Sequence, residues 1–200
     1  MTAFLFIRHA SCDMLDHSIA GRTPGVHLNR QGKMEAVSLV EKLANIKISA
    51  IFCSPLERAY ETAEPLAKHL GMGVIRSDRL DEIQFGDWTG RSFGDLSHIP
   101  HWHQFNNFRS GTRIPGGELM TEVQNRIITE LDRLRAEHPD DILALITHGD
   151  VIKAAVLYYA GMPMDFMHRI EISPASVSII TLDDRGPRIL RLNDTGPIRL

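Results

Sequence analysis

The sequence contains little cysteine, no large excess of charge and no long apolar run. Its two cysteines, Cys12 and Cys53, are too few for a disulfide framework or a cysteine zinc site, and we expect free thiols. With 22 basic and 25 acidic residues, the net charge is −3, which argues against nucleic acid as a partner. The longest apolar stretch, 154–164, is too short to span a membrane, and the N-terminal run is too short for a signal peptide. We therefore expect a cytoplasmic protein without a membrane partner.

Short apolar runs alternate with segments of helical periodicity. Continuous apolar runs, typical of buried parallel strands, cover 3–7, 50–53 and 142–146. Two later strands, which are candidates for the edge of the sheet, are predicted at 177–182 and 189–192. Apolar residues with helical spacing predict four helices, which begin after Asn29, after Ser54, at about Glu118 and after Asp150. This alternation predicts an α/β protein with a single domain over 1–200, a three-layer α/β/α sandwich around a mostly parallel sheet.

Two local signals concern the second helix. Ser54, Pro55 and Glu57 have the spacing of a capping box, with proline at the first helical position. Pro65 interrupts the apolar pattern further on and is expected to kink the helix.

Residues 85–113 lack a clear period. They contain six of the 13 aromatic residues, together with three histidines and three arginines. A long irregular segment in a compact domain is often a lid or binding insertion, so we predict a substrate-facing insertion at about 91–113. The alternative is a segment that packs on its own aromatic side chains.

Basic side chains follow three of the predicted strands. Arg8 and His9 end the first, Arg58 lies one helical turn after the second, and His148 ends the next. Ligands of open α/β sheets bind beyond the carboxyl ends of the strands, so these side chains are expected to converge. Two guanidinium groups and two imidazoles suit a phosphoryl dianion. Helix starts after Ser54 and Gly149 would add backbone N–H groups.

The same residues stand within a series of motifs. Its elements, in chain order, are Ile7-Arg8-His9-Ala10, Gly21-Arg22 with 26–32, 53–59 with Thr62-Ala63, 80–82 with 85–90, 115–118 and Thr147-His148-Gly149. This series resembles that of the histidine phosphatase superfamily, the phosphoglycerate mutase-like family, and its short phosphatases in particular. The resemblance covers roughly residues 4–182.

The resemblance implies phosphomonoester hydrolysis of a small phosphorylated metabolite through a phosphohistidine, with no metal or other cofactor. His9 would be the nucleophile, and Arg8, Arg58 and His148 would bind the phosphoryl oxygens. Glu82 would protonate the leaving oxygen, with Asp81 or Asp87 as the alternative acid. A neutral imidazole is a competent nucleophile near pH 7 without a metal, which agrees with these roles.

Three features of the motif region remain open. Arg22 is predicted to line the phosphate pocket, with a loop ion pair as the alternative. Ala10 occupies a position where the family usually has glycine, so a positive φ there would require the loop to shift. A homodimer is an open expectation.

Other functions are also compatible with parts of the sequence. A phosphomutase would use the same phosphohistidine, and a non-catalytic phosphate sensor would use the same pocket. Gly90-Arg91-Ser92-Phe93-Gly94 matches a serine hydrolase pattern, although Ser92 with Asp95 is more simply a capping box. Cys53 with Arg58 is one residue short of a cysteine phosphatase loop. Three histidines without an obvious carboxylate partner could bind metal: His98, His101 and His103.

Overall fold

The computed structural model describes residues 1–15 and 17–198, and in these residues six strands form one sheet. The strands are β1 (Thr2–Arg8), β2 (Ala50–Cys53), β3 (Val74–Arg76), β4 (Ile142–Thr147), β5 (Val177–Asp183) and β6 (Gly186–Asp194). The sheet order is β3-β2-β4-β1-β5-β6. The first four strands are parallel, whereas β5 is antiparallel to both β1 and β6.

Helices cover both faces of the sheet. The α-helices are α1 (Arg30–Lys42), α2 (Glu57–Leu70), α3 (Phe93–Leu96), α4 (Pro100–Asn107), α5 (Met120–Glu137) and α6 (Gly149–Ala160). Short 3-10 helices cover Asp78–Leu80, Gly86–Trp88 and Met164–Arg169. Because α1 and α2 pack on one face and α5 and α6 on the other, the predicted three-layer α/β/α fold is confirmed. None of the described helices is long and apolar enough to cross a membrane.

The strand β1 shows why the sheet is covered on both faces. Its side chains alternate between two fully buried clusters. Phe4 and Phe6 pack with α5 and α6, whereas Leu5 and Ile7 pack with α1 and α2. Truncating a buried phenylalanine to alanine costs about 3–5 kcal/mol, so each face contributes strongly to holding β1, and with it the strand end, in place.

The structure corrects several sequence predictions of the fold. Strand β3 was not predicted, because it has only three residues and Ile75 is exposed at the sheet edge. Of the two later strands, β5 is internal, between β1 and β6, and only β6 lies at an edge of the sheet. Helix α2 continues past Pro65 to Leu70, so the proline does not end the helix, and the predicted kink stays a prediction.

The capping box predicted from Ser54 is wrong. Helix α2 begins at Glu57, and its N-cap position, Leu56, makes no side-chain capping bond. The Ser54 hydroxyl accepts a bond from the Leu56 amide at 3.3 Å and also contacts Asp81 and His148, while the Glu57 carboxylate accepts a bond from the Gly25 amide. In contrast, the Asn29 cap of α1 is confirmed, since its side chain accepts from the backbone N–H of residue 32.

Segment 85–113 is more ordered than its sequence pattern indicates. It contains α3, α4 and a 3-10 turn, which hold a cluster of aromatic rings. The Trp88 ring lies edge-on to Trp102 and Phe105, with centroids 5.3 and 5.4 Å away. Trp88 and Phe105 are buried, as the packing alternative predicts, but Trp102 and Phe93 also line the cavity described below.

Candidate active site

The predicted basic residues converge at the carboxyl ends of β1 and β4. These strands are adjacent and parallel, with Arg8 opposite Thr147, so His9 and His148 follow side by side. Their ring centroids are 5.2 Å apart. Arg58, in the first turn of α2, reaches the same place with only 1% of its surface exposed.

The guanidinium groups of Arg58 and Arg8 each have N–H donors that their hydrogen bonds within the protein do not use. Arg58 donates through Nη2 to the Gly21 carbonyl oxygen at 2.8 Å, and the same atom lies 3.4 Å from Nδ1 of His148. Arg8 donates through Nη1 to the Ile172 carbonyl oxygen at 2.6 Å. Buried Nε and Nη1 of Arg58 and Nε of Arg8 have no partner within the described part of the chain. Buried cationic donors without partners are costly, so this geometry fits an anionic ligand.

His9 is held in the form that a nucleophile requires. Its Nδ1 lies 2.8 Å from the Ala10 carbonyl oxygen, so Nδ1 carries the proton and Nε2 keeps its lone pair in the neutral ring. Burial, with the nearby charges of Arg58 and Arg8, holds the pKa of His9 well below its ordinary value of 6.5. The imidazole is therefore neutral at physiological pH.

Glu82 lies beside this cluster. Its Oε2 is 3.6 Å from Nδ1 of His148, and its Oε1 accepts a bond from the Ile83 amide at 2.9 Å. Burial, and to a lesser degree the charge of Asp150, raises the pKa of Glu82 to about 7. A carboxyl group of this kind can both give and take a proton near neutral pH.

Arg22 does not line the cavity. Its Nε is 3.3 Å from Asp81 and its Nη2 is 3.1 Å from Glu118. It also donates to the backbone carbonyl oxygen of Glu82, as does Arg126, which the sequence analysis did not identify. Arg22 thus forms ion pairs, as the alternative prediction had it, and its hydrogen bond fixes the backbone of Glu82.

Two small residues, Ala10 and Gly149, follow the ends of β1 and β4. Ala10 has a negative φ and donates its N–H to the Thr62 hydroxyl at 2.9 Å, so alanine is accommodated there without backbone strain. A Cβ on Gly149 would lie 3.4 Å from Nε of Arg8, which is an ordinary van der Waals contact, so Arg8 does not by itself require glycine at this position.

A cavity of about 350 Å³ opens from the cluster towards segment 85–113. Besides Arg8, His9, Arg58 and Glu82, its lining includes apolar side chains, such as Leu15, Phe93 and Trp102, and polar ones, such as Asn106, Lys153 and Glu171. Its volume suits a small organic group attached to an anion bound by the arginines.

Arg109 is one of the three arginines of segment 85–113. Its guanidinium is buried over the Phe105 ring and donates to Asp150 at 2.9 Å and to Asn106 at 2.9 Å. Although it borders the cavity, these bonds tie segment 85–113 to the start of α6. The Asp150 carboxylate stays ionised, because Arg109 lowers its pKa despite its burial.

The alternative sites lack the geometry that they require. Ser92 is the N-cap of α3 and exchanges hydrogen bonds with Asp95, which confirms the capping interpretation. Burial raises the pKa of Cys53 to about 12, so this thiol is not a nucleophile at neutral pH. His101 and His103 each contact a backbone carbonyl oxygen, and the described residues contain no cluster of three metal-binding side chains.

A mostly parallel sheet with two histidines, two arginines and a carboxyl group of near-neutral pKa at its strand ends defines an enzyme of phosphoryl transfer. The model of the histidine phosphatase superfamily (branch 1) matches residues 4–195, and the chain belongs to this family.

Several characterised sequences and structures are similar to the chain. Phosphoserine phosphatase 1 of Hydrogenobacter thermophilus is 26% identical over 200 residues, which cover 98% of this chain and 93% of that protein. Phosphoglycerate mutase-like protein 4 of Arabidopsis thaliana is 33% identical over 165 residues, 80% of this chain and 70% of that protein. The structure of YhfR from Bacillus stearothermophilus superposes with a TM-score of 0.91 at 23% identity, covering 97% and 98% of the two chains, and shows the same fold.

Proposed function

We propose that this protein is a metal-independent phosphomonoester hydrolase that acts on a small phosphorylated metabolite through a phosphohistidine on His9. The observation that carries the proposal is the neutral imidazole of His9 beside buried guanidinium N–H groups that lack protein partners.

The reaction has two displacements at phosphorus. In the first, Nε2 of His9 forms a bond to phosphorus, the ester P–O bond breaks, and Glu82 gives its proton to the leaving oxygen. In the second, a water oxygen attacks the phosphorus as Glu82 takes back a proton. The N–P bond then breaks, and inorganic phosphate leaves with His9 and Glu82 in their starting forms.

The arginines supply the charge that such a reaction needs. Arg8 and Arg58 face the equatorial oxygens of the transferring group, where negative charge is spread in the transition state. His148 binds the same oxygens when it is protonated. Because these groups are already in position, the site offers electrostatic stabilisation without a divalent ion.

The names of the relatives support phosphoryl transfer, since one is a phosphatase and another is mutase-like. We favour hydrolysis, because segment 85–113 is a modest insertion. A mutase would have to keep phosphohistidine from water while its substrate reorients. The protein is proposed to act in the cytoplasm, without nucleic acid or membrane partners, and a homodimer stays a prediction.

The test is a panel of phosphomonoesters assayed for inorganic phosphate, with and without a chelator. We expect at least one small ester to be hydrolysed at the same rate in both conditions, and His9→Ala to abolish the activity. Activity that disappears with the chelator and returns with a divalent ion would overturn the metal-independent mechanism. Positional isomerisation of the phosphoryl group without phosphate release would establish the mutase.

A further inference from the structure

We propose that Asp81 is a positioning residue whose carboxylate orients both Glu82 and His148, the second of them through the Ser54 hydroxyl. The proposal rests on the proposed function, in which Glu82 and His148 act on the same phosphoryl group. Asp81 is then excluded as the alternative general acid.

The hydrogen bonds form one continuous path. Oδ1 of Asp81 accepts from the Glu82 amide at 2.9 Å and from the Ser54 hydroxyl at 3.1 Å. The Ser54 oxygen lies 2.9 Å from Nε2 of His148. Ser54 and His148 are fully buried and Asp81 is 8% exposed, so water does not compete for these bonds.

The single proton of the Ser54 hydroxyl gives the path a direction. Since the hydroxyl donates to the Asp81 carboxylate, its oxygen must accept from His148, which places a proton on Nε2 of that ring. Nδ1 of neutral His148 then holds a lone pair on the side of Arg58, whose Nη2 is 3.4 Å away. The Asp81 carboxylate therefore selects the tautomer of His148.

This tautomer prepares His148 for a bound phosphoryl group. The charged or titratable groups around its ring are Arg8, His9, Arg58, Glu82 and Arg126. Burial and the cations among them lower the pKa of His148, and a phosphoryl dianion would offset this effect. Once protonated, the ring has Nε2–H on Ser54 and Nδ1–H free to donate to a phosphoryl oxygen.

Asp81 has no free position from which to act as an acid. Its Oδ1 is occupied by Ser54 and the Glu82 amide, and its Oδ2 lies 3.3 Å from Nε of Arg22. Asp87, six residues later in the same motif, has an exposed side chain and takes no part in this path. Asp87→Ala is therefore a matched control for Asp81→Ala, which removes both acceptor oxygens, whereas asparagine would keep one.

The direct test reads the His148 tautomer by ¹⁵N NMR of the wild-type protein and of Ser54→Ala. We expect the wild-type ring to be protonated at Nε2, with a slowly exchanging proton, and Ser54→Ala to lose this signature while Asp87→Ala keeps it. A wild-type ring protonated at Nδ1 would overturn the proposal. This measurement needs no substrate, so its result is separate from that of the proposed reaction.

Kinetics of the variants give the second readout. Outer partners of metal-ligating histidines are typically worth 10–100-fold in affinity, and by analogy we expect about that loss of inorganic phosphate binding in Ser54→Ala. Asp81→Ala should show the same loss and, in addition, slower phosphorylation of His9, because Glu82 also loses its orientation. Combining the two variants should weaken phosphate binding no further than either alone. Equal behaviour of Asp81→Ala and Asp87→Ala would refute the role, whereas absence of phosphoenzyme in the wild type would refute the proposed function instead.

Discussion

Replacing Glu82 with glutamine removes the transferable proton and keeps the shape of the side chain. Burial raises the pKa of Glu82 from 4.5 to about 7. At pH 7 such a carboxyl is about half protonated, whereas at its ordinary pKa it would be only about 0.3% protonated. The fold therefore increases the acid form roughly 150-fold, and Glu82→Gln removes it entirely.

The size of the effect should depend on the leaving group. An alkoxide needs a proton as the P–O bond breaks, so with alkyl phosphates we expect Glu82→Gln to slow phosphorylation of His9 by about 10²–10⁴-fold. Nitrophenolate leaves without a proton, and the same step should be much less affected. Since Glu82 also activates water, nitrophenyl phosphate should give a burst of nitrophenol followed by slow turnover.

The pH dependence has a defined sign. The acid form of Glu82 is lost above pH 7, so wild-type phosphorylation by alkyl phosphates should fall about tenfold per pH unit there. Glu82→Gln should lack this fall. His9 stays neutral through the same range, because its pKa lies well below 6.5. The assay is the single-turnover rate against leaving-group pKa, and parallel lines for wild type and variant would refute the assignment.

Three further variants test the charges and the cavity. Arg58→Met removes a buried cation, so without ligand it should not lower the free energy of unfolding. In calorimetry it should weaken inorganic phosphate binding by about 3 kcal/mol, by analogy with the loss of an oxyanion-hole donor. Unchanged affinity would place Arg58 outside the phosphate site. Arg109→Ala should lower the free energy of unfolding by about 3 kcal/mol, because Asp150 loses its partner. Arg113 is exposed, so Arg113→Ala should lower it by less than about 1 kcal/mol. Equal losses for the two variants in urea denaturation would contradict this difference. Trp102→Ala should change relative kcat/KM values across a substrate panel more than phosphoenzyme hydrolysis, and a uniform change would indicate a structural role only.

Much of the fold follows from periodicity. The apolar runs of β1 and β4 have no polar face, which predicts central strands, and adjacent parallel strands bring His9 and His148 together. Strand β3 was not predicted because its three residues, two of them exposed, carry no periodic signal.

The role of a site residue could be predicted where its local sequence determines that role. It could not be predicted where the role depends on contacts with residues distant in sequence. His9 and Arg58 follow from strand ends and motif, but the use of Ser54 depends on Asp81 and His148, which are distant in sequence. Local spacing favours a helix cap for Ser54, and only the packed structure shows that its hydroxyl is used elsewhere. Likewise, nothing local to Arg109 indicates its buried bond to Asp150.

The passage of turnover through phospho-His9 is tested most directly by a rapid quench with ³²P-labelled substrate, followed by acid and base treatment and peptide mapping. We predict a label that is acid-labile and base-stable, maps to His9 and is absent in His9→Ala. An acid-stable label, or a normal label in His9→Ala, would contradict it.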